Sequence, residues 1–182
     1  APTLSSNVFS KMKENQKDIT VGVTDENNRL QYQWKFNSDT ITQPDMDIDL
    51  TISFDTDREN EVKEITGRDD LMYLSFSHHG ALPGPATIKT YVGNKYKDGD
   101  IVYLYYFNEE QNRVESVGGV NKGLVVKDGY VEYTITYCSL YFLSQDTAEI
   151  IKAVDPDTAD NNGQVADVAD TAKDSAATGD TT

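Results

Sequence analysis

The chain has 182 residues with 31 Asp+Glu against 16 Lys+Arg, a net charge of -15. That surplus repels phosphate backbones and anionic lipid surfaces, which sets nucleic-acid and peripheral-membrane roles aside. Hydrophobic residues make up only 37%, yet eleven Tyr, six Phe and one Trp are enough to build a core, and the length allows one domain plus an appendage.

In chain order, residues 5–16 place Val8 and Met12 four apart, in step with Leu4 and beside Phe9, after Ser5 or Ser6 as N-cap, and predict a short amphipathic helix. The period then becomes two. Ile19, Val21 and Val23 alternate with polar residues, Asp25 to Asn28 turn the chain, and Leu30, Tyr32, Trp34 and Phe36 alternate again, a hairpin. A further strand is expected from Pro44 to Phe54, with Met46, Ile48, Leu50, Ile52 and Phe54 on one face. Residues 55–70 read as a charged loop with about one helical turn. A strand over 71–77 is expected to break at His78-His79-Gly80-Ala81-Leu82-Pro83-Gly84-Pro85. Short strands then follow at 86–92, 101–107, 113–117, 123–126, 130–137 and 140–143, with Asp128-Gly129 as the clearest hairpin turn. About ten short strands and one helix with no βαβ rhythm predict an all-β fold, a mostly antiparallel β-sandwich with one short N-terminal helix.

Composition changes after Leu143. Residues 146–182 hold nine acids, two bases and no aromatic residue, a net of -7, and leave -8 on residues 1–145. The predicted organisation is a β-sandwich domain at 1–145 and a disordered acidic linker or wall-spanning tether at 146–182. Within it, 155–170 has the look of a calcium loop but lacks carboxylates at both ends, where Thr158 and Ala169 stand, and reads as linker. The single cysteine, Cys138, forms no internal disulfide and leaves the redox compartment open. The chain opens on Ala1 with neither signal peptide nor membrane-spanning stretch, and is expected to be a piece of something longer.

Three constellations could carry function. Asp45, Asp47 and Asp49 would lie about 7 Å apart on one strand face, either as ligands for Ca²⁺ or as a solvated face that discourages edge pairing. Ile101 to Phe107 is apolar or aromatic on both faces. One face belongs to the core; the other is either covered by the N-terminal helix or exposed. If exposed, Tyr103, Tyr105 and Tyr106 with Trp34 or Tyr91 would form a platform for stacking sugar rings. Adjacent His78 and His79 point to opposite faces of an extended strand, so they do not chelate one metal ion together; they are expected to flank a turn. Neither they nor Cys138 sit in a nucleophile motif, and no cofactor is expected. A Lys–Asn or Lys–Asp isopeptide bond is compatible with the composition, with no pair singled out.

Two stretches carry a resemblance: 8–54, with Tyr32-Gln33-Trp34-Lys35-Phe36 and Pro44-Asp45-Met46-Asp47-Ile48-Asp49-Leu50, and 76–143, with Gly80-Ala81-Leu82-Pro83-Gly84, Tyr91-Val92-Gly93-Asn94-Lys95-Tyr96 and Ile135-Thr136-Tyr137-Cys138-Ser139. Together they resemble the C-terminal β module of large secreted or sortase-anchored surface proteins of clostridia and ruminococci. The tail's Ala177-Thr178-Gly179-Asp180 is similar to the end of a sortase sorting signal, with Ser175 and Ala176 where Leu and Pro are usual. The resemblance implies a non-enzymatic extracellular module of a Gram-positive cell surface, a wall-proximal spacer, presentation or interaction domain. Its tether would be joined to peptidoglycan at Thr178, after cleavage before Gly179. The alternative is a carbohydrate-binding module.

Overall fold

The computed structural model describes residues 1–158. They form a mostly antiparallel β structure with few helices. After β1 (Thr3–Leu4) comes α1 (Ser6–Asn15), a little shorter than the sequence reading. Ser5 caps it, its Oγ accepting from Val8 N, and Asp47 Oδ1 accepts from Ser6 N at 2.7 Å, so two of the free amides at the helix start are satisfied. Gln16 in the left-handed region ends the helix, and Phe9 and Met12 face inward, Phe9 edge-on to Phe36 at 5.1 Å. The expected hairpin forms from β2 (Ile19–Thr24) and β3 (Leu30–Phe36). Asp25 Oδ1 accepts from the amides of Asn27 and Arg29, which pins the turn, and Tyr32, Trp34 and Phe36 are buried as the alternation requires.

The single strand expected over 44–54 is replaced by two pieces, β4 (Ile48–Asp49), which pairs with β1, and β5 (Ile52–Ser53). Ile48, Leu50 and Ile52 still point into the core, because an extended chain alternates its side chains whether or not it has a ladder partner. The charged stretch that followed reads as loop in sequence but carries two full turns, α2 (Glu59–Thr66). Val62, Ile65 and Thr66 supply its inner face, and Gly67, φ 70°, closes it.

The largest departure is β6 (Met72–Tyr91), which runs through the Gly/Pro segment without interruption. Its partner is β10 (Tyr130–Ser144), also long, and the bend is absorbed in register instead of in a break. Tyr137 pairs with Ala81 but Ile135 with Ala86, so Leu82–Pro85 bulge out opposite Thr136; a second shift between Cys138 and Leu140 bulges residues 76–79. In the first bulge Pro83 O accepts from Thr42 and Gln43 N, and Gly84 lies so close to the Thr40 backbone that no Cβ fits. His78 and His79 therefore sit inside a strand and do not flank a turn.

Together with β7 (Ile101–Asn108), β8 (Arg113–Ser116) and the short β9 (Leu124–Val125), these strands make one sheet in the order β2-β3-β6-β10-β7-β8, with β5 added to β6 and β9 to β7. Both bulges lie on the β6–β10 pair at the middle of this sheet, between its β2-β3 half and its β7-β8 half. Trp34 on β3 meets Phe76 on β6 at 5.6 Å, and its Nε1 donates to Leu50 O across the core. The Asp128-Gly129 turn forms, with both residues at positive φ and Lys127 and Tyr130 exchanging hydrogen bonds, but the preceding β9 turns aside to β7.

The outer face of β7 is covered by α2 and by α3 (Ala148–Ile151), not by the N-terminal helix. Tyr105, Phe107, Phe142, Val62 and Ile151 make this second core. The folded body thus continues beyond position 145, where composition places the start of the tether: Ile151 is fully buried, and Val154 O accepts from Ser116 N while Val154 N donates to Val114 O.

Candidate functional site

The sheet scatters the aromatic residues proposed as a sugar platform. Trp34 and Tyr105 are core residues, and the Tyr105 hydroxyl donates to Asp146 O. Tyr103 packs against the second core beneath the helices. Tyr91 is partly exposed, with the Arg29 guanidinium 4.6 Å over its ring and Tyr130 at 5.4 Å in a T-shaped pair, and it lines a separate recess of about 300 Å³ with Phe54 and Met72. Of the five, Tyr106 lines the 530 Å³ groove and Tyr91 the smaller recess.

The aspartate ladder fails for a different reason: the strand face on which it depended does not form. Asp47 caps α1 and Asp49 accepts from Thr51 N at 2.9 Å, while Asp45 is exposed. The Thr51 hydrogen bonds hold the Asp49 carboxyl below the usual range. Among the described residues no three His, Cys, Asp or Glu side chains come together as a metal ion requires. Every described lysine except the half-buried Lys89 is exposed, and none is buried against an Asn or Asp as a hidden isopeptide pair would be. Thr178 and Gly179 lie outside the described residues.

What the fold brings together instead is a row across three strands. Glu115 on β8 pairs with Tyr106 on β7, and Tyr106 pairs with Tyr141 on β10, so all three side chains share a face. They line an open groove of about 530 Å³ together with Gly118, Gly119 and residues Asp155 to Asp157. Gly118 and Gly119 both have positive φ, which lets the chain turn tightly off the end of β8. Tyr137 stands over the groove, 47% exposed, its ring 6.3 Å from Tyr106 at an interplanar angle of 86°. On its far side a second recess, lined by His79, Asn108, Glu109 and Glu110, shares Tyr106 and Tyr137. The two rings therefore form an aromatic corner shared by the groove and a smaller polar recess.

Glu115 is the buried acid at the base of this corner. Its Oε2 accepts from Arg113 Nε at 2.8 Å and from Asn108 Nδ2 at 2.9 Å, which fixes the carboxylate in place. Burial raises the pKa of the Tyr106 hydroxyl, with Tyr137 and Glu115 adding to the effect, so it stays protonated and available as a donor. Burial likewise pushes the Cys138 thiol up to about 12, leaving it neutral in the core with Tyr133 and Tyr141.

Sequence reading found Tyr106 but missed Tyr137, Glu115 and Asp155. Along β10, Val131, Tyr133 and Ile135 face inward, and strict alternation would bury Tyr137 as well. The bulge opposite Thr136 reverses the phase, exposing Tyr137 and burying Cys138. The Gly/Pro segment on the partner strand was the available signal, since extra residues there are what force the bulge.

No family description, curated protein or solved structure matches this chain.

Proposed function

We propose that this chain is a non-enzymatic module of an extracellular, Gram-positive cell-surface protein, and that it presents one binding groove, at Tyr106 and Tyr137. The observation that carries the binding role is the half-exposed Tyr137 set at a right angle to Tyr106 over a 530 Å³ groove, Tyr137 being the one aromatic among the exposed large hydrophobic side chains of the described residues. Glu115, held by Arg113 and Asn108, serves there as a fixed acceptor. Surface placement is supported by the strand-and-turn resemblance and by the acidic composition after residue 158, with peptidoglycan as the partner of the Thr178–Gly179 segment.

Protein-observed NMR with a cocktail of small fragments tests the groove. Amides of residues 116–119 and 136–137 should shift first and most. Shifts centred elsewhere, or spread evenly, would refute it. Antibody staining of intact cells tests the placement; signal only after lysis would overturn it.

A further inference from the structure

We infer that the groove takes the end of an uncharged saccharide, with Tyr137 as the stacking surface and Glu115 as the acceptor for its hydroxyls. This rests on the groove being the binding site.

Three observations select that chemistry. First, the corner of Tyr106 and Tyr137 offers a flat apolar face meeting a second wall at 86°, and a sugar ring has a C–H face of that kind together with hydroxyls at its edge. Second, the acceptor is preorganised: Glu115 is buried and its orientation is set by two donors, so a hydroxyl reaching it meets a carboxylate that needs no rearrangement. Third, the residues lining the groove include Glu115, Asp155 and Asp157 but no Lys or Arg. The Arg113 guanidinium is engaged by Glu115 and does not line the groove, so uronates, phosphates and other anionic ligands find acceptors there and no free cation to pair with.

The same acids raise the case for a lysine-bearing peptide, and the arrangement of charge decides against it. Glu115 is already matched by Arg113 at 2.8 Å, Asp155 Oδ1 accepts from Asp157 N at 3.0 Å, and Asp157 is exposed to water. A desolvated ammonium would therefore find little uncompensated negative charge at the base of the groove to offset its lost hydration. A hydroxyl has no such cost and needs only acceptors and an apolar ring.

The test is a glycan array of neutral and acidic oligosaccharides probed with the whole chain, followed by titration calorimetry on the hits and on a lysine-rich peptide. Hits should be neutral glycans, retained by Tyr137→Phe and weakened about tenfold or more by Tyr137→Ala. Tyr137 is half-exposed, so both variants should keep the parent melting temperature, which is measured alongside. No neutral hit, preference for uronates, tighter binding of the peptide, or hits that survive Tyr137→Ala would each overturn the saccharide assignment. If fragments still map to residues 116–119 and 136–137 in that event, the groove stands and only its ligand class falls; if they map elsewhere, the groove falls with it.

Discussion

Glu115 is the side chain on which the groove and the stability of its strand both depend, and Glu115→Ala is the informative perturbation. The substitution removes the acceptor of two hydrogen bonds, from Arg113 Nε and Asn108 Nδ2. It leaves the Arg113 guanidinium only 16% exposed, with Nη1 already lacking a partner among the described residues. Breaking a buried ion pair from one side costs about 3–5 kcal/mol, because the surviving charge stays buried and unpaired. Residual exposure of both groups places this pair near the lower end, at about 3 kcal/mol. For a domain of this size that corresponds to a fall in Tm of about 6–12 °C. The assay is urea denaturation of Glu115→Ala, Arg113→Ala and the double variant. Removing both charges abolishes the uncompensated one, so the double variant should lose clearly less than the two singles together, with a coupling of at least about 1 kcal/mol. A Glu115→Ala loss below about 1 kcal/mol, or simple additivity, would refute the claim that this carboxylate is buried and fixed.

Trp34→Ala should destabilise by about 3–5 kcal/mol, since the fully buried indole packs against Phe76 of β6 and donates to Leu50 O; a loss under 1 kcal/mol in the same urea assay would contradict that placement. Cys138, its pKa raised to about 12 by burial, should resist a thiol reagent at pH 8 in the native chain and react fully in urea; rapid native labelling would disprove its burial. Burial also raises the Tyr73 hydroxyl to about 12. Raised folded pKa values mean that the unfolded chain loses these protons first, so stability should be full below about pH 9 and fall as pH rises toward 12, read by melting across an alkaline series; a flat profile would contradict it. A chain ended after residue 145 should be unfolded or markedly less stable than one ended after 158, because Ala148 and Ile151 seal the second core and Val154 pairs with β8; equal melting temperatures for the two truncations would refute this.

Local patterning made much of the fold legible. The cap at Ser5, the Asp25 turn and the inward row of Tyr32, Trp34 and Phe36 are consequences of residues close in sequence, and they form as read. The failures all involve partners distant in sequence. Nothing near 80–85 announces that Thr42 and Gln43 will donate to Pro83, and without that partner a Gly/Pro run reads as a break when it is a bulge. Residues 148–154 look like linker because their own composition is poor in aromatics, yet Ala148 and Ile151 join Val62 of α2 and Phe142 of β10 in the second core. A segment with few apolar residues stays ordered when those few fill a prepared site, and composition averaged over 37 residues hides them.

The candidate site was less legible than the fold, and the bulge explains why. Counting tyrosines on alternating positions selects Tyr103 and Tyr105 as one face and Tyr106 as part of the other, but alternation cannot say which face an added layer covers. Here α2 and α3 take the first face, so Tyr105 becomes core, and the open side is left to Tyr106. Its companion is then chosen by the phase reversal at Thr136, which turns Tyr137 outward at the cost of a ladder position. A bulge that exposes a tyrosine beside a buried, doubly held carboxylate forgoes aromatic burial that a regular strand would have gained, about 1.5–3 kcal/mol for a side chain of that size. Deleting three of the four residues Leu82–Pro85, so that a single residue opposes Thr136, should restore the ladder there, return Tyr137 to the core and abolish the fragment shifts at the groove; a Tyr137 ring that stays exposed in that variant would refute it.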